Sequence, residues 1–307
     1  MDQIENIERI SVSSRAEWLE LRRHDVTASD IGALFGCHPY RSALQVYADK
    51  VGEGVDRADD AAMRAGRILE PGVAIAVAEE RPQWKIGKAN EYVRAPDLRL
   101  AATPDFYATD DRGPGILETK TADPVVFDRD WNGGPPMAWT LQCLVQMMLT
   151  GASWGAVAVL VRSRDFPIHI YDVPRHPDAE RKIIEKVRGF WAAVETGTQP
   201  PADFTRDGAV LSTMFPHERG EPIDLSDSNR LPKILERRIE LATLIRAAEA
   251  EKDAIDTELK SALGDAPEGR LPGWRVTWRT QHRKETIIPA KDMRVLRVSD
   301  LRSRGAA

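Results

Sequence analysis

The chain has 307 residues, of which 42% are hydrophobic and 30% charged, and its formal net charge is −5. This composition is typical of a globular protein, since it is too apolar for a disordered chain and has no apolar run near the roughly 20 residues of a membrane span. The two cysteines are too few for a disulfide framework or a four-cysteine metal site within the chain, and the opening MDQIENIERI lacks a signal-peptide pattern, so we expect a cytoplasmic protein with no membrane partner.

The N-terminal part of the chain is predicted to be helical. Residues 14–23 have an amphipathic pattern after a serine cap, and either Thr27 or Ser29 can cap a following helix that ends at a glycine. Residues 58–80 predict a longer helix, with a break expected near Pro71 because proline cannot donate the helical hydrogen bond.

The middle of the chain alternates strands and helices. The predicted strands are 84–93, 98–102, 103–107, 115–121 and 154–161, and the predicted helices are 135–149 and 178–195. The run WGAVAVLV at 154–161 is almost wholly apolar, as expected of a strand that is covered on both faces. This order predicts an α/β (α+β) fold with a mixed central β-sheet flanked by helices.

The C-terminal part differs in composition from the rest. We divide the chain into a core at 1–206, a linker at 207–228, a long charged helix at 229–263 and a basic β appendage and tail at 264–307. Ten Lys/Arg against three Asp/Glu give residues 270–307 a charge of +7, which leaves −12 on the preceding residues. The stretch GWRVTWRTQHRKETI predicts a strand with alternating apolar and basic faces, over residues 273–287.

A predicted hairpin in LAATPDFYATDDRGPGILETKTA carries the residues with the clearest chemistry. Asp105 and Glu118 lie on its two arms, and Glu118 shares one face of its strand with Lys120 because side chains alternate. Two carboxylates held close together repel unless a cation compensates them, and Mg²⁺ takes such oxygen ligands. The alternative is an ordinary solvated hairpin whose Glu and Lys form a surface pair.

Other polar residues favour a site at the hairpin, although each has an ordinary explanation. Glu70 on the helix before the hairpin can be a surface residue. Gln142 and Gln146, one turn apart on a largely apolar helix, either lie on its polar side or are buried with partners. Arg22 and Ser29 could bind a phosphate near a helix N-terminus, or Ser29 could simply cap the helix.

Five motifs together resemble the PD-(D/E)xK nuclease superfamily, and within it the YqaJ-type viral recombinase family related to lambda exonuclease. The motifs, in chain order, are RRHDVTASDIGALFGCHPYRS, GRILEP, ATPDFYA, GILETK and LQCLVQMMLTG. The resemblance implies a restriction-endonuclease-like core that acts as a metal-dependent deoxyribonuclease. It departs from many relatives at Phe106, where they have glycine, and at Leu144, where some have a second amide.

The resemblance also implies a role for each matching residue. Asp105 and Glu118 would bind Mg²⁺, for which Mn²⁺ would substitute, together with the backbone carbonyl of Thr119. Lys120 would position the nucleophilic water. Glu70 would be a further acidic group that holds metal-bound water or a second ion. Gln142 would be the family's helix glutamine, and Arg22 with Ser29 would bind the 5′-phosphate of the DNA end.

The family resemblance implies partners as well. Members digest one strand of linear double-stranded DNA from 5′ to 3′ and leave a 3′ overhang for a single-strand annealing protein. Some of them form trimeric rings, so a homo-oligomer in a bacterial or phage-infected cell is expected. Two alternatives keep the same core: a DNA endonuclease of the defence type, and a catalytically silent protein that binds DNA ends. The site residues alone do not exclude an RNA substrate.

Overall fold

The computed structural model describes residues 4–55, 61–218, 220–285 and 292–302. The chain forms two compact units, Met1–Phe215 and Pro216–Ala307. Each unit is described by itself below. The predicted tail at 264–307 and the predicted strand at 273–287 extend partly outside the described residues.

The first unit contains most of the secondary structure. Its helices in the described residues are α1 (Arg15–His24), α2 (Ala28–Leu34), α3 (Ala43–Lys50), α4 (Ala61–Glu80), α5 (Pro124–Asp130), α6 (Met137–Thr150), α7 (Pro177–Glu195) and α8 (Gly208–Met214), with a 3-10 turn at Pro96–Leu98. Its strands there are β1 (Glu8–Ser11), β2 (Val26–Thr27), β3 (Lys85–Lys88), β4 (Glu91–Ala95), β5 (Leu100–Ala102), β6 (Phe106–Asp110), β7 (Gly113–Ala122), β8 (Trp154–Val161) and β9 (Ile168–Pro174).

The described strands of the first unit form two sheets. The larger sheet has the order β3-β6-β7-β8-β9, in which β7 and β8 are parallel and the other neighbours antiparallel. The smaller sheet has the order β1-β4-β5-β2. The expected mixed sheet flanked by helices is therefore confirmed, and its long central strand β7 carries the Glu-Thr-Lys triplet.

Alternation along the central strands separates two hydrophobic cores. Ile116 and Val157 point into the core shared with α6, whereas Leu117 and Ala156 point into the core shared with α4. Because Glu118 has the same parity as Ile116, its side chain faces α6. The fold thus places an ionisable group in the middle of an apolar layer.

Helix α4 is continuous through Pro71, where the sequence predicts a break. Pro71 and Gly72 are exposed, so water can satisfy the carbonyl that loses its partner. Val73 and Val77, both fully buried, hold the following turns of the helix against the sheet. Tertiary packing here outweighs the local cost of proline.

Other predicted elements have different bounds in the structure. The predicted strand at 84–93 is two strands, β3 and β4, in different sheets. The hairpin arms are β6 and β7, so Asp105 lies one residue before β6 instead of within it. Helix α8 occupies the start of the predicted linker, because the buried Asp207 before it accepts hydrogen bonds from Ser42 and Gln45.

The second unit has a long helix and a hairpin in its described part. Helix α9 (Leu231–Leu263) has no buried residue among those described. It is followed by β10 (Glu268–Leu271) and β11 (Trp274–Thr277), which pair antiparallel. β11 is shorter than the strand that the sequence predicts, because its partner strand has only four residues. In neither unit do the described residues include a helix of the length and apolarity needed to cross a membrane.

Candidate active site

The two carboxylates of the hairpin are brought together where the β6–β7 pairing ends. The last paired residues are Phe106 and Leu117, so the next positions along the two chains are Asp105 and Glu118. Asp105 Oδ2 accepts hydrogen bonds from the backbone N–H and the hydroxyl of Thr119, both at 2.8 Å. These bonds fix the Asp105 side chain beside the backbone of β7, next to Glu118.

Glu118 is buried, at 1% exposure, and is held by three donors. Its Oε1 accepts from Lys120 Nζ at 2.5 Å and from Gln142 Nε2 at 2.7 Å. Its Oε2 accepts from Gln146 Nε2 at 2.6 Å. Both glutamines are therefore buried partners of the carboxylate, which decides between the two explanations left open by the sequence.

The electrostatics of this cluster are unbalanced. Burial, and then the charge of Asp105, raise the pKa of the Glu118 carboxyl to about 7 against the opposing effect of Lys120. Burial favours the neutral amine of Lys120, but the carboxylates of Glu118 and Asp105 outweigh it and raise its pKa. Lys120 therefore remains an ammonium group, which donates hydrogen bonds and does not act as a base.

Glu70 lies near the cluster but has its own partner. The charge of Glu70 contributes to the raised pKa of Lys120. Its carboxylate forms an ion pair with Lys88, whose ammonium lies 4.7 Å from the centroid of the Phe106 ring. Among the residues that the structure describes, no group of three or more His, Cys, Asp or Glu side chains is arranged to hold a metal ion. Glu70 is thus adjacent to the pair of carboxylates without completing a third ligand.

The donor set nevertheless fits a hard divalent cation. Two carboxylates share the site with one ammonium group. Within the described residues, both hydrogen bonds of the Asp105 side chain are made by Oδ2, so Oδ1 remains for a ligand. In the described part of the chain the buried Gln146 Oε1 has no hydrogen-bond partner, so its partial negative charge is not balanced by a donor. Mg²⁺ takes one or two protein carboxylates of this kind.

A second buried carboxylate organises the residues predicted to bind phosphate. Asp30 is fully buried and lies 2.5 Å from Arg41, 3.4 Å from Lys50 and 3.9 Å from Arg22. Arg22 Nη2 also donates to Ser29 Oγ at 3.0 Å, so the two predicted phosphate ligands are in direct contact. The structure therefore brings Arg22 and Ser29 together within a cluster of cations.

The capping of α2 explains why Ser29 is available to Arg22. Thr27 is the N-cap, and its backbone N–H and hydroxyl donate to Asp30 Oδ2 at 3.0 and 2.8 Å. Burial alone would raise the pKa of Asp30, but Arg41, Lys50 and Arg22 lower it well below its usual range. The helix is capped through Thr27 and Asp30, which leaves the Ser29 hydroxyl outside the capping box.

The sequence analysis missed two aromatic neighbours of Lys120. Lys120 Nζ lies 4.3 Å from the centroid of the Trp139 ring, and the His38 ring packs edge-on against Trp139 at 5.3 Å. The spacing of Trp139, Gln142 and Gln146 along α6 places them on one helix face, and this signal could have identified the tryptophan.

His38 has no comparable signal in the sequence. It reaches Trp139 because α2 and α6 approach so closely that a Cβ on Gly32 would lie 2.7 Å from Ala138 Cβ. Burial and the nearby charges of Arg41, Lys120 and Arg206 lower the pKa of His38 to about 4, so the ring is neutral at neutral pH.

Comparison with solved structures agrees with the fold. The crystal structure of LHK-Exo, an alkaline exonuclease from Laribacter hongkongensis, superposes with a TM-score of 0.50 at 20% identity and covers 60% of this chain and 94% of that one. The LHK-Exo structure in complex with dAMP gives the same values. The covered part of the chain therefore shares the fold of this exonuclease.

Two sequence matches bear on the family. Residues 17–153 match the model of the YqaJ-like viral recombinase domain. The chain is also 22% identical over 280 residues to the uncharacterized protein YqaJ of Bacillus subtilis strain 168, which covers 88% of this chain and 84% of that protein. The match over residues 17–153 agrees with the resemblance seen in the motifs.

Proposed function

We propose that the protein is a phage-type exonuclease that hydrolyses linear double-stranded DNA from 5′ to 3′ and leaves 3′ single-stranded overhangs for recombination. The observation that carries this proposal is the buried Glu118, next to Asp105 and bonded to Lys120 and Gln142. The match to the YqaJ-like domain and the fold shared with an exonuclease support it.

The site residues divide the work of phosphodiester hydrolysis. Asp105 and Glu118, with the Thr119 carbonyl and with Glu70 nearby, would hold Mg²⁺ or Mn²⁺. When bound, that cation supplies Lewis-acid stabilisation of the phosphate charge and lowers the pKa of water. Lys120 donates hydrogen bonds from its ammonium group, which orients the attacking water and stabilises negative charge on the phosphate.

Gln142 connects Lys120 to Glu118. Its Nε2 donates to Glu118 Oε1, and its Oε1 accepts from Lys120 Nζ at 3.3 Å. The amide thereby holds the ammonium and carboxylate groups in a fixed relative position before the substrate arrives. Such preorganisation reduces the reorganisation that the transition state would otherwise require.

The polarity of digestion is proposed to come from the Asp30 cluster. Arg22 and Ser29 are hydrogen-bonded to each other and lie where two further cations surround a single buried carboxylate. A terminal 5′-phosphate carries more negative charge than an internal phosphodiester and so gains more from this excess of cations. A preference for 5′-phosphorylated ends would give 5′ to 3′ digestion.

The partners in this proposal are double-stranded DNA ends, a single-strand annealing protein and further copies of the chain. A homo-oligomer such as a trimeric ring would reconcile an acidic chain with DNA, because basic residues could line its lumen. A size measurement in solution, with and without a linear duplex, tests the oligomer directly.

Digestion of end-labelled DNA tests the function. A linear duplex carrying a label at either end and a 5′-phosphate or 5′-hydroxyl is incubated with Mg²⁺ or with EDTA, beside closed circular DNA and a matched RNA duplex. We expect metal-dependent loss of the 5′-ended strand, faster with 5′-phosphate, and no cutting of circles.

Other outcomes of this experiment select other functions. Cutting of circular DNA would identify an endonuclease of the defence type. Binding without cutting in every divalent metal would identify a catalytically silent end-binding protein. Faster loss of the RNA duplex would change the substrate class.

A further inference from the structure

The hairpin of the second unit places two arginines directly opposite each other. The β10–β11 register pairs Arg270 with Arg275, and both are exposed. Like charges on directly opposed residues destabilise a strand pair. Glu268 is the shared carboxylate, at 2.7 Å from Arg270 and 3.0 Å from Arg279. This face of the hairpin therefore carries more positive charge than its own carboxylate balances.

The opposite face of the hairpin is aromatic and largely exposed. Leu271 pairs with Trp274 near the turn, and Trp274 is 75% exposed. A Cβ on Gly269 would lie 2.9 Å from Leu263 Cδ2, so the end of α9 packs on the middle of this face. The backbone N–H of Trp278 donates to the Pro267 carbonyl, which extends the strand pairing by one hydrogen bond, and Trp278 is 50% exposed. Large indole rings are normally well buried, so two exposed rings on a four-residue strand and its extension are unusual.

These two faces are combined in a short segment of positive charge. Residues 268–285 contain five Lys/Arg and two Asp/Glu, a net charge of +3 in a chain whose total is −5. Proteins that hold single-stranded nucleic acid use the same combination, in which aromatic rings stack on unpaired bases and cations contact the backbone. Duplex DNA offers its bases stacked and paired, so exposed indoles suit a single strand better.

We propose that the hairpin Glu268–Trp278 binds single-stranded DNA, with Trp274 and Trp278 stacking on bases and Arg270 and Arg275 contacting phosphates. The source of that strand rests on the proposed function, because exonuclease digestion leaves a 3′ overhang. The binding itself does not depend on cleavage, so the two proposals can fail separately.

The test measures DNA affinity in the full-length protein without turnover. Fluorescence anisotropy follows a labelled oligothymidylate of about 12 nucleotides, within the range of known single-strand sites. The oligonucleotide has a 5′-hydroxyl, so that it does not engage a 5′-phosphate site, and EDTA prevents hydrolysis. Trp274→Ala is compared with Phe204→Ala, which removes an aromatic ring that is 78% exposed in the first unit.

Arg275→Gln is compared with Arg246→Gln, which removes an exposed arginine from α9. We expect Trp274→Ala to weaken binding about tenfold or more, since a stacked base contributes that much. Arg275→Gln should also lower the slope of log affinity against log salt by about 0.7, the value for one phosphate contact on a single strand. Phe204→Ala and Arg246→Gln should bind like the wild type.

Each other outcome overturns part of the proposal. Equal affinities of Trp274→Ala and Phe204→Ala would show that the hairpin does not bind DNA. Equal losses on a duplex of the same length would remove the single-strand preference. A change in oligomeric mass with unchanged DNA affinity would identify the hairpin as a subunit contact.

The same variants separate this inference from the proposed function. Digestion of a linear duplex in Mg²⁺ together with unchanged oligonucleotide binding by Trp274→Ala would leave the exonuclease standing without the hairpin site. Absence of digestion by the wild type together with weakened binding by Trp274→Ala would leave the hairpin site standing without the exonuclease.

Discussion

Glu118 and Asp30 are two carboxylates in the first unit that are equally buried, at 1% and 0% exposure, but differ in charge environment. Glu118 has one ammonium group and two amide donors, and a second carboxylate lies beside it. Asp30 has three cations within 4 Å. As a result, the pKa of Glu118 is raised to about 7, whereas that of Asp30 is lowered well below its usual range.

The difference shows that burial alone does not decide the charge of a buried acid. Desolvation raises both pKa values, and the neighbouring charges determine which direction prevails. The environment of Glu118 has two carboxylates against one ammonium group, and this deficit of positive charge suits a divalent cation. The environment of Asp30 has a surplus of positive charge, and therefore suits a phosphate. Charges of both clusters act on His38, and their opposite imbalance matches the two needs of an enzyme that binds a DNA end and hydrolyses it.

The largest expected effect comes from removing the charge of Asp30. Asp30→Asn removes the one buried carboxylate among Arg22, Arg41 and Lys50, although Arg41 keeps its ion pair with Asp49. Breaking a buried ion pair on one side costs about 3–5 kcal/mol. Urea unfolding at pH 7 measures this loss, with Asp97→Asn in the 3-10 turn as a control. A loss below about 1 kcal/mol would mean that the three cations do not depend on Asp30.

The charge of Lys120 is expected to matter for turnover. Removing a preorganised donor from a hydrolytic site lowers the rate about 100- to 1,000-fold, so Lys120→Ala should lose that much single-turnover cleavage. DNA affinity in EDTA should change only slightly. Lys182→Ala, an exposed lysine on α7, serves as the control. Turnover within tenfold of the wild type would remove Lys120 from the mechanism.

The imbalance at Glu118 predicts a pH dependence of stability in the metal-free protein. A carboxyl with a raised folded pKa stabilises the fold below its unfolded value, and this contribution is lost as the pH rises through about 7. The wild type should therefore lose stability relative to Glu118→Gln between pH 5 and pH 8, by at most about 3 kcal/mol.

Asp30 should contribute no such slope, because its lowered pKa keeps it ionised across this range. Urea unfolding in EDTA at pH 5 and pH 8 measures the difference in stability between the wild type and Glu118→Gln. In a separate experiment with Mg²⁺ in place of EDTA, the pH dependence of this difference should disappear. A constant difference between wild type and variant would contradict the raised pKa.

The smallest predicted effect concerns the DNA end. Arg22→Ala should reduce the rate advantage of a 5′-phosphate over a 5′-hydroxyl by about tenfold, as expected for one charge-assisted hydrogen bond. Arg23→Ala removes the neighbouring exposed arginine, which pairs with Glu20, and should leave the advantage intact. An equal loss on both kinds of end would show that Arg22 acts in general DNA binding.

Local patterns predicted much of the hairpin site. Alternation along β7 placed Glu118 and Lys120 on one face, and the hairpin spacing placed Asp105 near them. Helical spacing placed Gln142 and Gln146 together on α6. These residues could be predicted because each relation depends on the period of a single strand or helix, or on one hairpin.

Relations between distant segments could not be predicted in this way. Arg41 and Lys50 reach Asp30 only after α3 folds back on α2, and His38 reaches Trp139 only through the close approach of Gly32 to α6. Helix α4 continues through Pro71 because buried valines hold its next turn. In each case a tertiary contact decides the outcome.

The central claim is that Glu118 lacks enough positive charge until a divalent cation binds. Calorimetric titration of Mn²⁺ into the DNA-free protein at pH 7, in two buffers of different ionisation enthalpy, tests it most directly. Because the metal-free carboxyl has a pKa of about 7, binding by the wild type should release protons, and Glu118→Gln should show neither the binding nor the release. Equal binding by both proteins, or binding without proton release, would contradict the account.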